Sequence, residues 1–272
     1  MYNTKKQNNF LPMLLYPNID PVAISLGAVK VHWYGIMYLV GFASAWLLGR
    51  ARAKKAGWTT EQIDDVIFFA AMGVVIGGRV GYVLFYNFPS FVANPLVLFK
   101  VWQGGMSFHG GLVGVLVAMF LFARKYQYGF FRVTDFIAPL VPIGLCAGRI
   151  GNFINGELWG KPTEFFLGVL VPGLSGGARH PSNLYEAALE GAVLFVILWV
   201  YSRKPRPLMA VSGLFLFVYG LFRFLLEFVR VPDAQLGYLA FDWLTMGQVL
   251  TIPMLMAGSF IIIKAYQKRD SE

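Results

Sequence analysis

Val66-Ile-Phe-Phe-Ala-Ala-Met-Gly-Val-Val-Ile-Gly-Gly-Arg-Val-Gly-Tyr-Val-Leu-Phe-Tyr86 runs for 21 residues with a single charge, Arg79. A bilayer core about 30 Å thick takes roughly 20 apolar residues in helix, since only intrahelical hydrogen bonds satisfy the backbone where water is absent. The stretch therefore reads as a transmembrane helix. Residues 31–49, 133–153, 209–229 and 244–263 read the same way. Residues 106–123, with His109 near the start, and 184–201, with Glu186 and Glu190, are weaker and bring the expectation to about seven spans. The expected fold class is all-α, a polytopic membrane protein forming one integral domain over residues 1–272. Composition agrees, because 57% of the residues are hydrophobic and 14% charged, where soluble domains carry about a quarter charged. That balance excludes a cytosolic enzyme.

The loops give an orientation. Arg50, Arg52, Lys54 and Lys55 follow the first span, and Arg124, Lys125 and Arg132 follow the third. Arg203, Lys204 and Arg206 follow the fifth, and Lys264, Lys268 and Arg269 the seventh. The other side has Lys5, Lys6, Lys30, Lys100, Lys161, Arg179 and Arg230, spread over longer segments. The positive-inside rule then puts the C-terminus in the cytoplasm and the N-terminus outside. It also puts the long Gly- and Pro-rich loop 154–183, between the fourth and fifth spans, on the outer face. A loop of that length inside one domain is usually functional or disordered.

The formal charge of +9 comes from clumps at span ends, which are topology signals and not a nucleic-acid-binding stripe. Cys146 is the single cysteine, so no intrachain disulfide forms and no thiolate zinc site can be built. No histidine pair has metal-site spacing and HExxH is absent, so neither metal nor cofactor is expected. Lys5 and Lys6 precede only a brief apolar stretch, broken by Pro12, and a cleaved signal peptide is not expected.

An arginine at mid-bilayer costs at least about 2.5 kcal/mol, so Arg79, Arg149 and Arg223 need an explanation. Glycines at 77, 78 and 81 surround Arg79, and a structural pairing there is as good a reading as a functional one. Arg223 and Glu227 are spaced i, i+4 and share a helical face, while Arg149 has no carboxylate at helical spacing. Glu186 and Glu190 can serve other arginines, yet so few carboxylates at membrane depth leave room for an external anion. A phospholipid headgroup fits, because a guanidinium recognises phosphate bidentately. His109 stands in Gln103-Gly-Gly-Met-Ser-Phe-His-Gly-Gly111, where glycines let a substrate approach the ring. His32 is read as interfacial, and His180 as a residue that orients the long loop.

The densest polar segment is Gly148-Arg-Ile-Gly-Asn-Phe-Ile-Asn-Gly-Glu-Leu-Trp-Gly160. Arg149 and Asn152, at i, i+3, share a face, and Asn155, Gly156 and Glu157 fall where helix gives way to loop. An ordinary C-terminal cap accounts for Gly156 but not for Arg149, Asn152 and Glu157 together. The segment matches the pattern G-R-x-G-N-F-x-N-x-E-x-x-G of the prolipoprotein diacylglyceryl transferase family of bacterial inner membranes, which the chain closely resembles. The likeness extends to Trp33-Tyr34-Gly35, His109-Gly110-Gly111, His180-Pro-Ser-Asn-Leu-Tyr-Glu186, and Tyr219 through Arg223 and Glu227 to Arg230-Val-Pro-Asp233.

The resemblance implies a multi-pass inner-membrane enzyme. It transfers the diacylglyceryl group of phosphatidylglycerol to the thiol of the lipobox cysteine in a prolipoprotein signal peptide. A thioether forms and glycerol phosphate leaves, in the first step of lipoprotein maturation. By the same resemblance Arg149 binds the lipid headgroup, and Tyr34, His109, Asn152, Gly160, Arg223 and Glu227 support activity. The expected catalytic set is His109, Arg223 and Tyr34. The expected substrate-binding set is Arg149, Asn152, Asn155, Glu157, Gly160, Glu227 and Arg230. Expected partners are phosphatidylglycerol, lipobox signal peptides and the bilayer, with no nucleic acid. A transporter or flippase for an anionic lipid or solute is the rival reading, since intramembrane arginines also mark transport paths; the paired repeats of many transporters are not evident.

Overall fold

The computed structural model describes residues 14–27, 29–232 and 236–270. Lys5, Lys6, Pro12 and Asp233, used in the sequence reading, lie outside them. Helix occupies all seven expected stretches: α1 (Trp33–Ala56), α2 (Thr60–Tyr86), then after the short α3 (Phe88–Ala93), α4 (Phe108–Lys125). Next come α5 (Phe130–Ile137) and α6 (Val141–Ile154), joined by a 3₁₀ turn, then α7 (Ser182–Glu186) and α8 (Leu194–Tyr201), joined by a π-helix over Ala187–Val193. The last two are α9 (Ala210–Leu226) and α10 (Met246–Asp270). Among the described residues, five helical runs are long and apolar enough to cross a membrane: Thr60–Tyr86, Phe108–Lys125, Phe130–Ile154, Ser182–Tyr201 and Met246–Lys268. Ala210–Leu226 is apolar but shorter. Apolar side chains such as Leu39, Phe85, Phe120 and Phe260 stand exposed on these helices, as expected where the surrounding medium is lipid.

The all-α expectation holds in the coarser form of a mostly helical chain, and among the described residues six short strands also make three two-stranded sheets: β1 (Leu14–Leu15) with β4 (Val169–Leu170) parallel, β2 (Val22–Leu26) with β3 (Val29–His32) antiparallel, and β5 (Tyr238–Ala240) with β6 (Leu244–Thr245) antiparallel. His32 thus ends a strand, and the first helix begins at Trp33 rather than residue 31.

The chain divides into two compact units. One comprises Gly41–Val141, Leu198–Phe215 and Gly258–Glu272. Its α2 starts at a capping box, with the Thr59 hydroxyl accepting from the Gln62 N–H and the Gln62 side chain accepting from the Thr59 N–H. The backbones of α2 and α4 meet at glycines: a Cβ on Gly73 would lie 2.6 Å from the Gly114 carbonyl oxygen, and one on Gly81 2.7 Å from the Gly110 Cα. Small residues are what allow two membrane helices to approach this closely. Trp58 stacks on Phe136 with ring centroids 4.3 Å apart at the centre of an apolar core with Ile63, Phe122, Val133 and Leu140. Asp135 accepts from the Met209 N–H at 2.7 Å and the Ser212 N–H at 2.8 Å, satisfying orphan donors where α9 begins. Arg79, buried, donates to the carbonyls of Val97, Leu98, Gly104 and Gly105. Its charge holds the 95–105 segment in place, which is the structural alternative of the sequence reading.

The other unit comprises Met1–Val40, Pro142–Ile197 and Leu216–Ala257, and contains all three sheets. Tyr16 anchors the loop end of α6: its hydroxyl is 2.9 Å from the Phe153 carbonyl and 2.8 Å from that of Ile154. Its ring meets Phe153 and Trp159 edge-on.

Candidate active site

Arg223, Glu227 and Arg230 come from the C-terminal end of α9. Turn-forming hydrogen bonds continue past Leu226, from the Glu227 N–H to the Arg223 carbonyl at 3.1 Å and from the Arg230 N–H to the Leu226 carbonyl at 3.2 Å. The helical spacing therefore holds through Arg230. Glu227 Oε1 receives Arg223 Nη2 at 2.7 Å and Arg230 Nε at 2.9 Å. Its Oε2 accepts from Thr245 Oγ1 at 2.8 Å, and a Cβ on Gly247 would lie 2.5 Å from its Cδ. Glu227 is thus clamped on every side.

Two further carboxylates come from the 182–201 helix. Glu186 closes α7 and Glu190 lies in the π-helical turn, whose wider winding is a frequent feature of functional sites. This segment runs tight against α6, since a Cβ on Gly191 would lie 2.5 Å from that of Cys146. Glu186 Oε2 pairs with Arg149 Nε at 2.7 Å, and its Oε1 pairs with Arg230 Nη1 and lies 3.5 Å from Arg223 Nη1. Glu190 is looser, 3.7 Å from Arg149 Nη2 and 3.8 Å from Arg223 Nη1. The carboxylate side chains are 0, 1 and 6% exposed, whereas Arg149, Arg223 and Arg230 are 24, 18 and 15% exposed. The carboxylates are thus the more deeply buried partners, and the arginine side chains keep some exposure.

As expected, Arg149 has no carboxylate at helical spacing, and Glu186 and Glu190 serve other arginines, Glu186 reaching Arg149 from another helix. The expected excess of arginine over carboxylate is not found among the described residues: Arg79 is satisfied by carbonyls, and Arg149, Arg223 and Arg230 meet Glu186, Glu190 and Glu227. What the centre offers an anion is unmade hydrogen bonds. Arg223 Nη1 is buried and has no hydrogen-bond partner among the described residues, and its ion-pair contacts of 3.5 and 3.8 Å are too long to count as such bonds.

The motif after α6 builds a scaffold beside this centre. Asn152 Nδ2 and Asn155 Nδ2 donate to the Glu157 carboxylate at 3.4 and 3.2 Å, and Asn183 Nδ2 donates to the Glu157 carbonyl at 2.9 Å. Ser182 Oγ donates to the Leu158 carbonyl at 2.7 Å. Gly160 lies where three backbone segments meet: its N–H donates to the His180 carbonyl, and it bridges Arg230. A Cβ there would lie 2.5 Å from the Val229 carbonyl oxygen and 2.9 Å from His180, so only glycine fits. His180 belongs to the same ladder, and burial, with the Lys161 ammonium nearby, holds its imidazole below the ordinary value.

Tyr34 packs against Gly151, where a Cβ would come within 2.9 Å of its ring, and meets Tyr38 edge-on at 5.2 Å. The structure therefore brings Arg149, Arg223, Glu227 and Arg230 into one cluster, with Asn152, Asn155, Glu157 and Gly160 in the adjoining scaffold. His109 belongs to the other unit. It is the second residue of α4, exposed, behind the Ser107 N-cap, whose hydroxyl accepts from the Gly110 N–H at 3.2 Å. Glu186, Glu190 and Thr245 were not among the expected site residues. Glu186 ends the quoted 180–186 motif, and a buried carboxylate in an apolar span was the available signal.

The fold and this centre define a helical membrane protein with a polar, arginine-rich site set among apolar helices. The family model described as prolipoprotein diacylglyceryl transferase matches residues 21–264, and the chain belongs to that family. A phosphatidylglycerol--prolipoprotein diacylglyceryl transferase of Pseudomonas savastanoi pv. phaseolicola is 59% identical over 263 residues, covering 95% of this chain and 97% of that protein. The proteins of the same name from Pseudomonas paraeruginosa and Pseudomonas aeruginosa are each 58% identical over 258 residues, covering 94% of this chain and 97% of theirs.

Proposed function

We propose that this chain transfers the diacylglyceryl group of phosphatidylglycerol to the lipobox cysteine of prolipoproteins. It does so as a seven-span protein of the bacterial inner membrane, with the N-terminus and the 154–183 loop outside and the C-terminus in the cytoplasm. The observation that carries the reading is the cluster of Arg149, Arg223 and Arg230 over buried Glu186, Glu190 and Glu227. The thiol sulfur attacks the glyceryl carbon bonded to the phosphate. An S–C bond forms, the C–O bond breaks, and its electron pair goes to the departing phosphate oxygen. Charge on the leaving group rises during the step, and guanidinium donors already in place stabilise it without reorganisation. Arg149 and Arg223 take the headgroup phosphate, Arg223 being aimed by Glu227. The thiol proton is assigned to His109 as the base, and Tyr34 to the donor side.

The test uses purified protein in phosphatidylglycerol vesicles with a lipobox peptide. A peptide heavier by one diacylglyceryl group, with glycerol phosphate released in equal amount, is expected. Unchanged lipid together with solute or lipid flux would replace this reading with transport.

A further inference from the structure

Beside the arginine–carboxylate centre, on its loop side, a cavity of about 430 Å³ is lined by Gly156, Leu158, Trp159, Leu174, Arg179, Ser182, Arg230 and Val231. Every lining residue lies in a loop or at a helix end, so the cavity is formed by the segments after α6, before α7 and after α9. Two of its features are cationic, and they differ. Arg230 belongs to the centre through Glu186 and Glu227, so its charge is shared with two carboxylates. The Arg179 guanidinium donates to the Gly160 carbonyl at 3.2 Å and the Ser175 carbonyl at 3.0 Å, and its buried Nε–H has no partner among the described residues. No carboxylate among the described residues neutralises it. A cationic group held by carbonyls at the wall of a cavity is a site for an anion.

The charge balance of the transfer says which anion. A phosphodiester enters with one negative charge, and a phosphomonoester leaves with one more, once the C–O electron pair has passed to its oxygen. The donor phosphate has to stay with its acyl chains among the apolar helices. The monoester has lost them and is small, polar and more strongly charged. Arg230 touches both the centre and the cavity, so an anion moving off Arg149 and Arg223 meets Arg230 first and then Arg179.

We infer that this cavity is a binding site for the released phosphomonoester, glycerol phosphate, with Arg179 as its charge-matching residue and Arg230 as the shared wall. The inference rests on the transferase reading above. It explains how product leaves the donor arginines free for the next lipid.

Two measurements separate it from that reading. Direct binding of glycerol phosphate to the purified protein, followed by ligand-detected NMR without any peptide, needs no turnover. Arg179→Gln is expected to weaken this binding on the order of tenfold, and Arg179→Lys to recover part of it because charge returns without the fork. Leu174→Trp fills part of the cavity while keeping the Arg179 side chain, and the same loss is expected even if the 179 variants disturb the loop. In turnover, glycerol phosphate should inhibit the parent, and Arg179→Gln should raise its inhibition constant by the same factor, with the larger effect there and not on the KM for phosphatidylglycerol. Equal binding by parent, Arg179→Gln and Leu174→Trp overturns the inference. So does a variant whose KM for the lipid rises while its glycerol phosphate affinity stays, since the cavity would then take the headgroup still attached. Failure of the parent to lipidate the peptide overturns the transferase reading instead.

Discussion

Glu186→Gln is the perturbation to which the centre should be most sensitive. The Glu186 side chain is 0% exposed and touches all three arginines, pairing with Arg149 Nε at 2.7 Å, pairing with Arg230 Nη1, and facing Arg223 Nη1 at 3.5 Å. Glutamine keeps the shape and one acceptor oxygen but removes the charge, leaving three partly exposed arginines with two carboxylates. Removing one partner of a buried ion pair costs about 3–5 kcal/mol. With one acceptor kept, the lower end applies, about 3 kcal/mol. For a chain of this size each kcal/mol moves the unfolding midpoint by about 2–4 °C, so a fall of about 6–12 °C is expected. Glu190→Gln should cost less, because its contacts are 3.7 and 3.8 Å. The measurement is thermal unfolding of detergent-solubilised parent and variants at one fixed scan rate, alongside kcat/KM in the lipobox-peptide assay. Because misplacing a catalytic group by about 1 Å can cost about 100-fold, a loss of that order is expected for Glu186→Gln. A variant that melts with the parent and keeps kcat/KM within about threefold would show that the arginines hold their positions without Glu186, and the account of the centre would fall.

Three further outcomes follow from the geometry. Arg149→Ala should abolish lipid headgroup binding and Arg149→Lys restore it only in part, because an ammonium lacks the fork that spans a phosphate; tight phosphatidylglycerol binding by the alanine variant in a vesicle-binding assay contradicts this. Gly160→Ala should destabilise the protein by about 1–3 kcal/mol and lower kcat/KM, because the new Cβ would lie 2.5 Å from the Val229 carbonyl next to Arg230; a parental melting curve is the contrary result. If His109 takes the thiol proton, His109→Gln should leave a residual rate that climbs from about pH 6 to about pH 9 as the thiol ionises unaided, and full activity at neutral pH ends that assignment.

What the sequence disclosed and what it hid divide along one physical line. Apolar runs of bilayer length are local, so each expected stretch is helical, although the short α3 was not foreseen, and Arg223 with Glu227 was legible from a four-residue spacing. The partner of Arg149 was not, because Glu186 reaches it from another helix. Arg79 is satisfied by backbone carbonyls, which carry no residue signature at all. The paired strands of two to five residues are too short to impose an alternating pattern. Gly160 was visible as a motif position, but its reason, three backbones meeting at one point, exists only in three dimensions.

The even match of arginine and carboxylate bears on catalysis. A centre with surplus positive charge would hold the phosphodiester tightly from the start, and binding spent on the ground state gives no acceleration. On the transferase reading, the pairing of Glu186, Glu190 and Glu227 with the arginines would keep net attraction for a singly charged headgroup weak, and recognition would rest on oriented N–H donors such as Arg223 Nη1. Such donors would strengthen their bonds as charge builds on the leaving oxygen, so the centre would favour the transition state over the bound lipid. The carboxylates are then more than structural ballast for buried arginines. By lowering ground-state affinity while holding the donors rigid, they confine the electrostatic stabilisation to the step in which the C–O bond breaks.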